Sequence, residues 1–300
     1  MDNFAVIVAF LLGGMALRRI RSVPRRTGSV LNLAVIYVCL PSLVLLNIPR
    51  LTISEQDLVP AIMPWAMLAL SAAAVTVLSK ILHWDRPTTG CLLLMVPLGN
   101  TSFLGIPMVK AFFGDAAIPY ALLYDQLGSF PALALYGTLI VSAYGPGEGR
   151  PGPAGVARKI LTFPPFVALI LALALRGVTY PAAVVGLLTA LSSALLPVVM
   201  MAVGFQLDLR MGREQAGLLG LGLSIKMAAA PLAALAACRL LGLEGDAARV
   251  SVFEAGMPPM VSAGVLAIAA NLSPSLAAAL VGVGIAVSFA TLPVLHWLLR

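Results

Sequence analysis

Two stretches of this sequence gather residues suited to binding a small polar solute inside an otherwise apolar chain. The first runs from Met95 to Pro107 and holds Pro97, Gly99, Asn100, Thr101, Ser102, Gly105 and Pro107. The second runs from Glu254 to Gly264 and holds Gly256, Pro258, Pro259 and Ser262. A helix cannot run undisturbed through either, because proline lacks a backbone donor and clashes with the preceding turn. Each interruption exposes half-helix ends, and N-terminal ends attract anions. The freed backbone groups must be satisfied by neighbours, water or a substrate. Asn100, Thr101 and Ser102 offer hydrogen-bond donors to a carboxylate, while Gly105, Gly256 and Gly264 permit close helix approach. The plainer readings are ordinary proline kinks, with Thr101 and Ser102 bonding their own helix backbone.

Ionisable groups deep in apolar segments cost about 2.5–3.5 kcal/mol each at a span centre. Lys226 is one; it suits attraction for an anionic substrate, for Glu254 or for Asp125, against a structural ion pair or a snorkelling chain as the alternative. Asp125, followed by Gln126, and Glu254 are candidates for taking up a coupling proton, or else for structural hydrogen bonds. Asp208, Lys110, His83 and His296 fall at segment edges. No H-E-x-x-H, G-x-S-x-G or P-loop pattern occurs, which argues against an enzyme. Cys39, Cys91 and Cys238 lie in apolar runs without metal-ligand spacing and read as small hydrophobes. No metal or organic cofactor is expected, and a proton or sodium ion is the coupling partner left open.

The elements that must position these residues follow from composition. The chain is 60% hydrophobic and 10% charged, with mean hydropathy +1.01, whereas a soluble domain carries about 25% charged residues. The net charge of +7 sits in short loops rather than in a nucleic-acid-binding stripe. Ten segments reach spanning length: 3–20, 28–48, 58–82, 89–113, 117–143, 160–176, 181–207, 215–241, 247–271 and 275–298. Arg18, Arg19 and Arg21 follow the first segment, the reverse of a cleavable signal's charge order, so it reads as a retained helix. With the N-terminus outside, the cytoplasmic loops hold twelve Lys/Arg and the other side six. That bias places both termini on the non-cytoplasmic side of the cell membrane.

A Gly/Pro-rich linker at 146–155 divides residues 1–145 from 156–300. Sliding one half over the other by 156 to 159 residues superposes Arg19 on Arg176, Pro24 on Pro181, Pro41 on Pro197, Lys80 on Arg239, Asp85 on Glu244 and Gly99 on Gly256. This predicts two five-helix repeats, inverted because each has an odd number of spans.

The run from Asn100 through Phe103 and Gly105 to Pro107 resembles the N-x-x-F-x-G-x-P signature of the auxin efflux carrier family, bacterial branch. Lys226 with Pro231, Met257-Pro258, Val265 to Ala267 and Thr291 to Pro293 extend the likeness along nearly the whole chain. The resemblance implies ten spans, crossing broken fourth and ninth helices, a homodimer, and a permease for small carboxylates such as malate or malonate. It also implies a scaffold of the first, second, sixth and seventh spans. Pro258-Pro259 and Met257 depart from the plant branch, which speaks against auxin itself.

The sequence thus predicts an all-α integral membrane carrier for a small organic anion. The expected substrate-binding residues are Asn100, Thr101, Ser102, Gly105, Pro107, Pro258, Pro259, Ser262 and Lys226, with Asp125 and Glu254 for coupling. The expected partners are the carboxylate, the bilayer and a second copy, not nucleic acid. The alternatives are a sodium-coupled bile-acid-type symporter and a membrane sensor without transport.

Overall fold

A computed structural model describes residues 2–20, 22–24, 26–50, 58–145, 153–206 and 215–300. Asp208, most of the 146–155 linker and several of the basic loop residues lie outside them. The described chain is helical: α1 Asp2–Arg19, α2 Thr27–Asn47, α3 Leu58–Ile81, α4 Arg86–Met95, α5 Thr101–Phe113, α6 Asp115–Tyr144, α7 Pro153–Leu161, α8 Pro164–Ala174, α9 Ala182–Gln206, α10 Ala216–Leu240, α11 Asp246–Ala255, α12 Val261–Ala269 and α13 Pro274–Leu298. Among these, α2, α3, α6, α9, α10 and α13 are long and apolar enough to cross a membrane alone. Large apolar side chains such as Ile62, Leu139 and Leu187 stay exposed on them, as surfaces meant for lipid rather than water do. This is a multi-pass membrane protein.

The predicted fourth and ninth spans are each two short helices. α4 and α11 have ten residues apiece, and each is followed by a non-helical stretch, 96–100 and 256–260. Their starts lie 160 residues apart, 86 and 246, as do the starts of α5 and α12, 101 and 261. The register at the breaks therefore sets Gly99 against Pro259 rather than Gly256. The sixth span is shorter than expected: α8 covers only Pro164–Ala174, preceded by the separate α7. α5 passes to α6 through Gly114 alone, at φ 84°, a backbone conformation that favours glycine.

Proline shapes the long helices in a repeated way. Wide π turns at Val35–Cys39, Thr101–Gly105, Asp125–Ser129 and Ile225–Ala229 each end two residues before Pro41, Pro107, Pro131 or Pro231. The wider turn accommodates a ring that would otherwise strike the carbonyl four residues back. Such a carbonyl also loses its donor, and neighbouring side chains supply substitutes. Trp65 Nε1 donates to Leu127 O at 3.0 Å, four residues before Pro131. Tyr136 Oη donates to Leu93 O at 2.8 Å, four before Pro97. Lys226 Nζ donates to Ala255 O at 3.1 Å, four before Pro259.

The helices pack in two groups. α1 and the start of α2 lie against α9, and the second half of α2 lies against α8 and α9. α11 packs on α3, α6 and α10, and α12 on α4 and α13. Two apolar cores fill the bundle: one runs from α1, α2, α8 and α9 into α5, α6 and α11, the other lies among α3, α4, α10, α12 and α13, and both reach the breaks at Met257, Leu98 and Met260.

Tyr136→Phe removes a donor and little volume. It is expected to cost about 1 kcal/mol, read as a lower unfolding temperature in detergent, while Tyr37→Phe on the exposed face of α2 leaves it unchanged.

Candidate functional site

The two interruptions are joined by main-chain hydrogen bonds. Asn100 N donates to Pro258 O at 2.8 Å, and Met260 N donates to Leu98 O at 3.0 Å. Between them Gly99 and Pro259 form an antiparallel bridge. Backbone groups released by Pro97, Pro258 and Pro259 thus satisfy one another across the contact, which an apolar medium demands.

Three ionisable side chains surround this joint, all buried. Asp125, in the π turn of α6, accepts Thr101 Oγ1 at 2.6 Å and Ser102 Oγ at 2.5 Å on one oxygen and Gln126 Nε2 at 2.6 Å on the other. Thr101 and Ser102 open α5, so an internal carboxylate already sits at that helix's N-terminal end, where the dipole favours it. The two hydroxyls therefore serve Asp125 rather than their own backbone, and Asp125 bonds to them and Gln126 rather than to Lys226.

Lys226, in the π turn of α10, caps the C-terminal carbonyl of α11 through its bond to Ala255 O. A cation at a helix C-terminus is favourable. Its ammonium also passes close to Gly99, where an added Cβ would stand 3.0 Å from Nζ. Glu254 differs from both: neither carboxylate oxygen has a hydrogen-bond partner. Gly105 lies directly against those oxygens, leaving no room for a Cβ.

Cavities lie on two sides of the joint. One of about 10 Å³ is bordered by Gly99, Thr101, Tyr124, Ser129, Lys226 and Glu254, the room of about one water. Another of about 70 Å³ is lined by Asn100, Ser102, Met260 and Ser262, with Ile36, Phe130 and Phe163 among its apolar walls. The amide of Asn100 borders it with neither polar atom partnered. Residues Met260 and Ser262 bring in the start of α12, where no side chain caps the helix. A wider cavity of about 690 Å³ separates α1 and α9 from α12 and α13, reaching from Arg18 and Gln206 to Val261.

The expected residues thus converge: Asn100, Thr101, Ser102, Gly105, Pro258, Pro259, Ser262, Lys226, Asp125 and Glu254 meet at the joint, and Pro107 shapes the π turn above it. Lys110 pairs with Asp115 at 3.0 Å, half exposed. His296 packs against Phe112 and Phe113, ring centroids 5.1 and 4.8 Å away. Sequence reasoning missed Trp65, Tyr136 and the aromatic wall, where Phe130 stacks on Phe163 at 3.6 Å. The first two could have been found by asking which donor serves the carbonyl four residues before each proline.

Gly105→Ala is expected to lower stability by about 1–3 kcal/mol through overpacking against Glu254. Adding Glu254→Ala should recover part of that loss in a double-mutant cycle read by thermal unfolding. Independent, additive losses would contradict the contact.

Comparison with known proteins fits this picture. A family profile described as membrane transport protein matches residues 1–148 and 154–296. An uncharacterized transporter of Methanothermobacter thermautotrophicus is 28% identical over 295 residues, covering 96% of this chain and 94% of the relative. An uncharacterized transporter of Methanocaldococcus jannaschii is 26% identical over 309 residues, covering 100% and 98%. Both relatives are archaeal, and neither speaks to the bacterial branch. With matches spanning nearly its full length, the chain belongs to the auxin efflux carrier family of membrane transport proteins.

Proposed function

We propose that the chain is a secondary carrier that moves a small organic anion, a mono- or dicarboxylate, by alternating access around the paired breaks. The observation that carries this reading is Asn100, a buried amide with no partner, bordering a cavity of about 70 Å³ beside the uncapped start of α12. A carboxylate there accepts from the amide and from the first-turn N–H groups of α12. The cavity is far below the roughly 300 Å³ of a drug-sized pocket, which favours a substrate of a few carbons. The ammonium of Lys226, across the joint beside the smaller cavity, supplies charge complementarity through space.

In this reading the ten helical segments expected from hydropathy all cross the membrane, as two inverted five-helix repeats. The matched lengths of α4 and α11 and of the two breaks support it. α1, α2, α8 and α9 form a scaffold and the remaining helices move against it, with the 690 Å³ cavity at the boundary. Loop charge puts that cavity on the cytoplasmic side of the cell membrane and both termini outside, and the carrier works as a homodimer.

The test is exchange of radiolabelled malonate in proteoliposomes. Asn100→Ala removes a hydrogen bond to a charged group, worth about 1.5–3 kcal/mol, so half-saturation should shift about 10- to 100-fold. Lys226→Ala should lose transport more completely. Exchange unchanged in both variants would overturn the site, and failure of the wild type to bind or move any carboxylate would overturn the substrate class.

A further inference from the structure

We propose that Glu254 binds the proton that travels with the anion, making the protein a proton–carboxylate symporter in which Asp125 has no coupling role. This rests on the carrier reading above. Both carboxylates are fully buried, but they are treated in opposite ways. Asp125 has three donors on its two oxygens, so its buried lone pairs are satisfied within the protein. Glu254 has none. Its oxygens abut the bare Gly105, and Lys226 spends its ammonium on Ala255 O. A carboxylate so placed is held in its neutral form, since an unpaired buried charge is far costlier than a proton.

The other groups facing Glu254 do not alter this. α6 brings Tyr124 and Asp125, and α10 brings Lys226. The lysines of α3 and α5 are terminal: Lys80 sits in a last turn, and Lys110 pairs with Asp115. His296 of α13 lies against the neighbouring Phe253 ring, 6.5 Å between centroids. The cavity of about 10 Å³ beside Glu254 also touches Lys226 and Thr101, so a single water there can relay a proton.

Charge counting links the proton to the substrate. Lys226 is the one buried cation among the described residues, and with Asp125 served by its own three donors it can balance one further anion. When the substrate carboxylate enters, an ionised Glu254 would leave a second negative charge uncompensated. The carboxylate oxygen of Glu254 therefore takes a proton from water before the anion enters, which is the neutral state described above. It returns that proton to water on the other side when the anion leaves, and the empty carrier resets with Lys226 neutralising Glu254.

The experiment uses wild type and Glu254→Gln, a near-isosteric copy of the neutral acid, in proteoliposomes with radiolabelled malonate and the membrane potential clamped by potassium and valinomycin. A one-unit pH gradient, acid outside, should drive about tenfold accumulation in wild type for one proton per anion. Glu254→Gln should keep malonate exchange at equal pH and lose the gradient-driven accumulation. Infrared difference spectra should show a protonated-carboxyl band in wild type that is absent from Glu254→Gln. Wild type that exchanges malonate without gradient-driven accumulation would overturn the proposal and leave the carrier reading intact. Gradient-driven accumulation by Glu254→Gln, or no Glu254-dependent band, would do the same. No exchange in wild type would overturn the carrier reading itself.

Discussion

Two backbone hydrogen bonds, Asn100 N to Pro258 O and Met260 N to Leu98 O, are the constraint on which the rest of this molecule depends. Proline in an apolar segment frees carbonyls and removes donors, and lipid offers nothing in exchange. The two interrupted helices solve this by pairing their breaks, which fixes α4, α5, α11 and α12 relative to one another. The carbonyls not served by that pairing recruit Trp65, Tyr136 and Lys226 from α3, α6 and α10. α6 and α10 are therefore tied to the joint, and α3 to α6, by the same requirement that created it. The position of Lys226 follows from that requirement as much as from any affinity for an anion.

The joint is built from matched halves, yet its two halves meet charge differently. The N-terminal end of α5 holds an internal carboxyl group, Asp125, through Thr101 and Ser102. The N-terminal end of α12 opens on a cavity shared with the unpartnered amide of Asn100. In the carrier reading, one end is permanently filled by the protein and the other is kept for a solute. The same contrast separates the carboxylates: Asp125 is a satisfied element of structure, and Glu254 is left without a donor.

Much of this was legible in the sequence, for physical reasons. The third segment, expected at 58–82, is Leu58–Ile81, and the second, expected at 28–48, is Thr27–Asn47, because lipid-facing length is set by composition. The breaks were legible because proline and glycine act locally. What each side chain bonds to was not legible. Thr101 and Ser102 offered donors to a substrate or to their own helix, and only the approach of α6 assigns them to Asp125. Gly105 read as a site of close helix approach, but that the approaching group is a carboxylate depends on the register of α11. The half-chain offset missed that register by a few residues at Gly99, since composition this uniform leaves small shifts unpenalised. The short α8 was likewise hidden, because an apolar run does not reveal where Thr162 and Phe163 interrupt it.

In the proposed carrier a small carboxylate sits between the Asn100 amide and the first turn of α12. A high-resolution cryo-electron microscopy map of the protein with saturating malonate tests it most directly. New density should bridge Asn100 and the backbone around Val261 and Ser262, absent from a map without malonate. Malonate density elsewhere, such as beside Arg18 in the wide cavity, with the Asn100 amide still unoccupied, would contradict it.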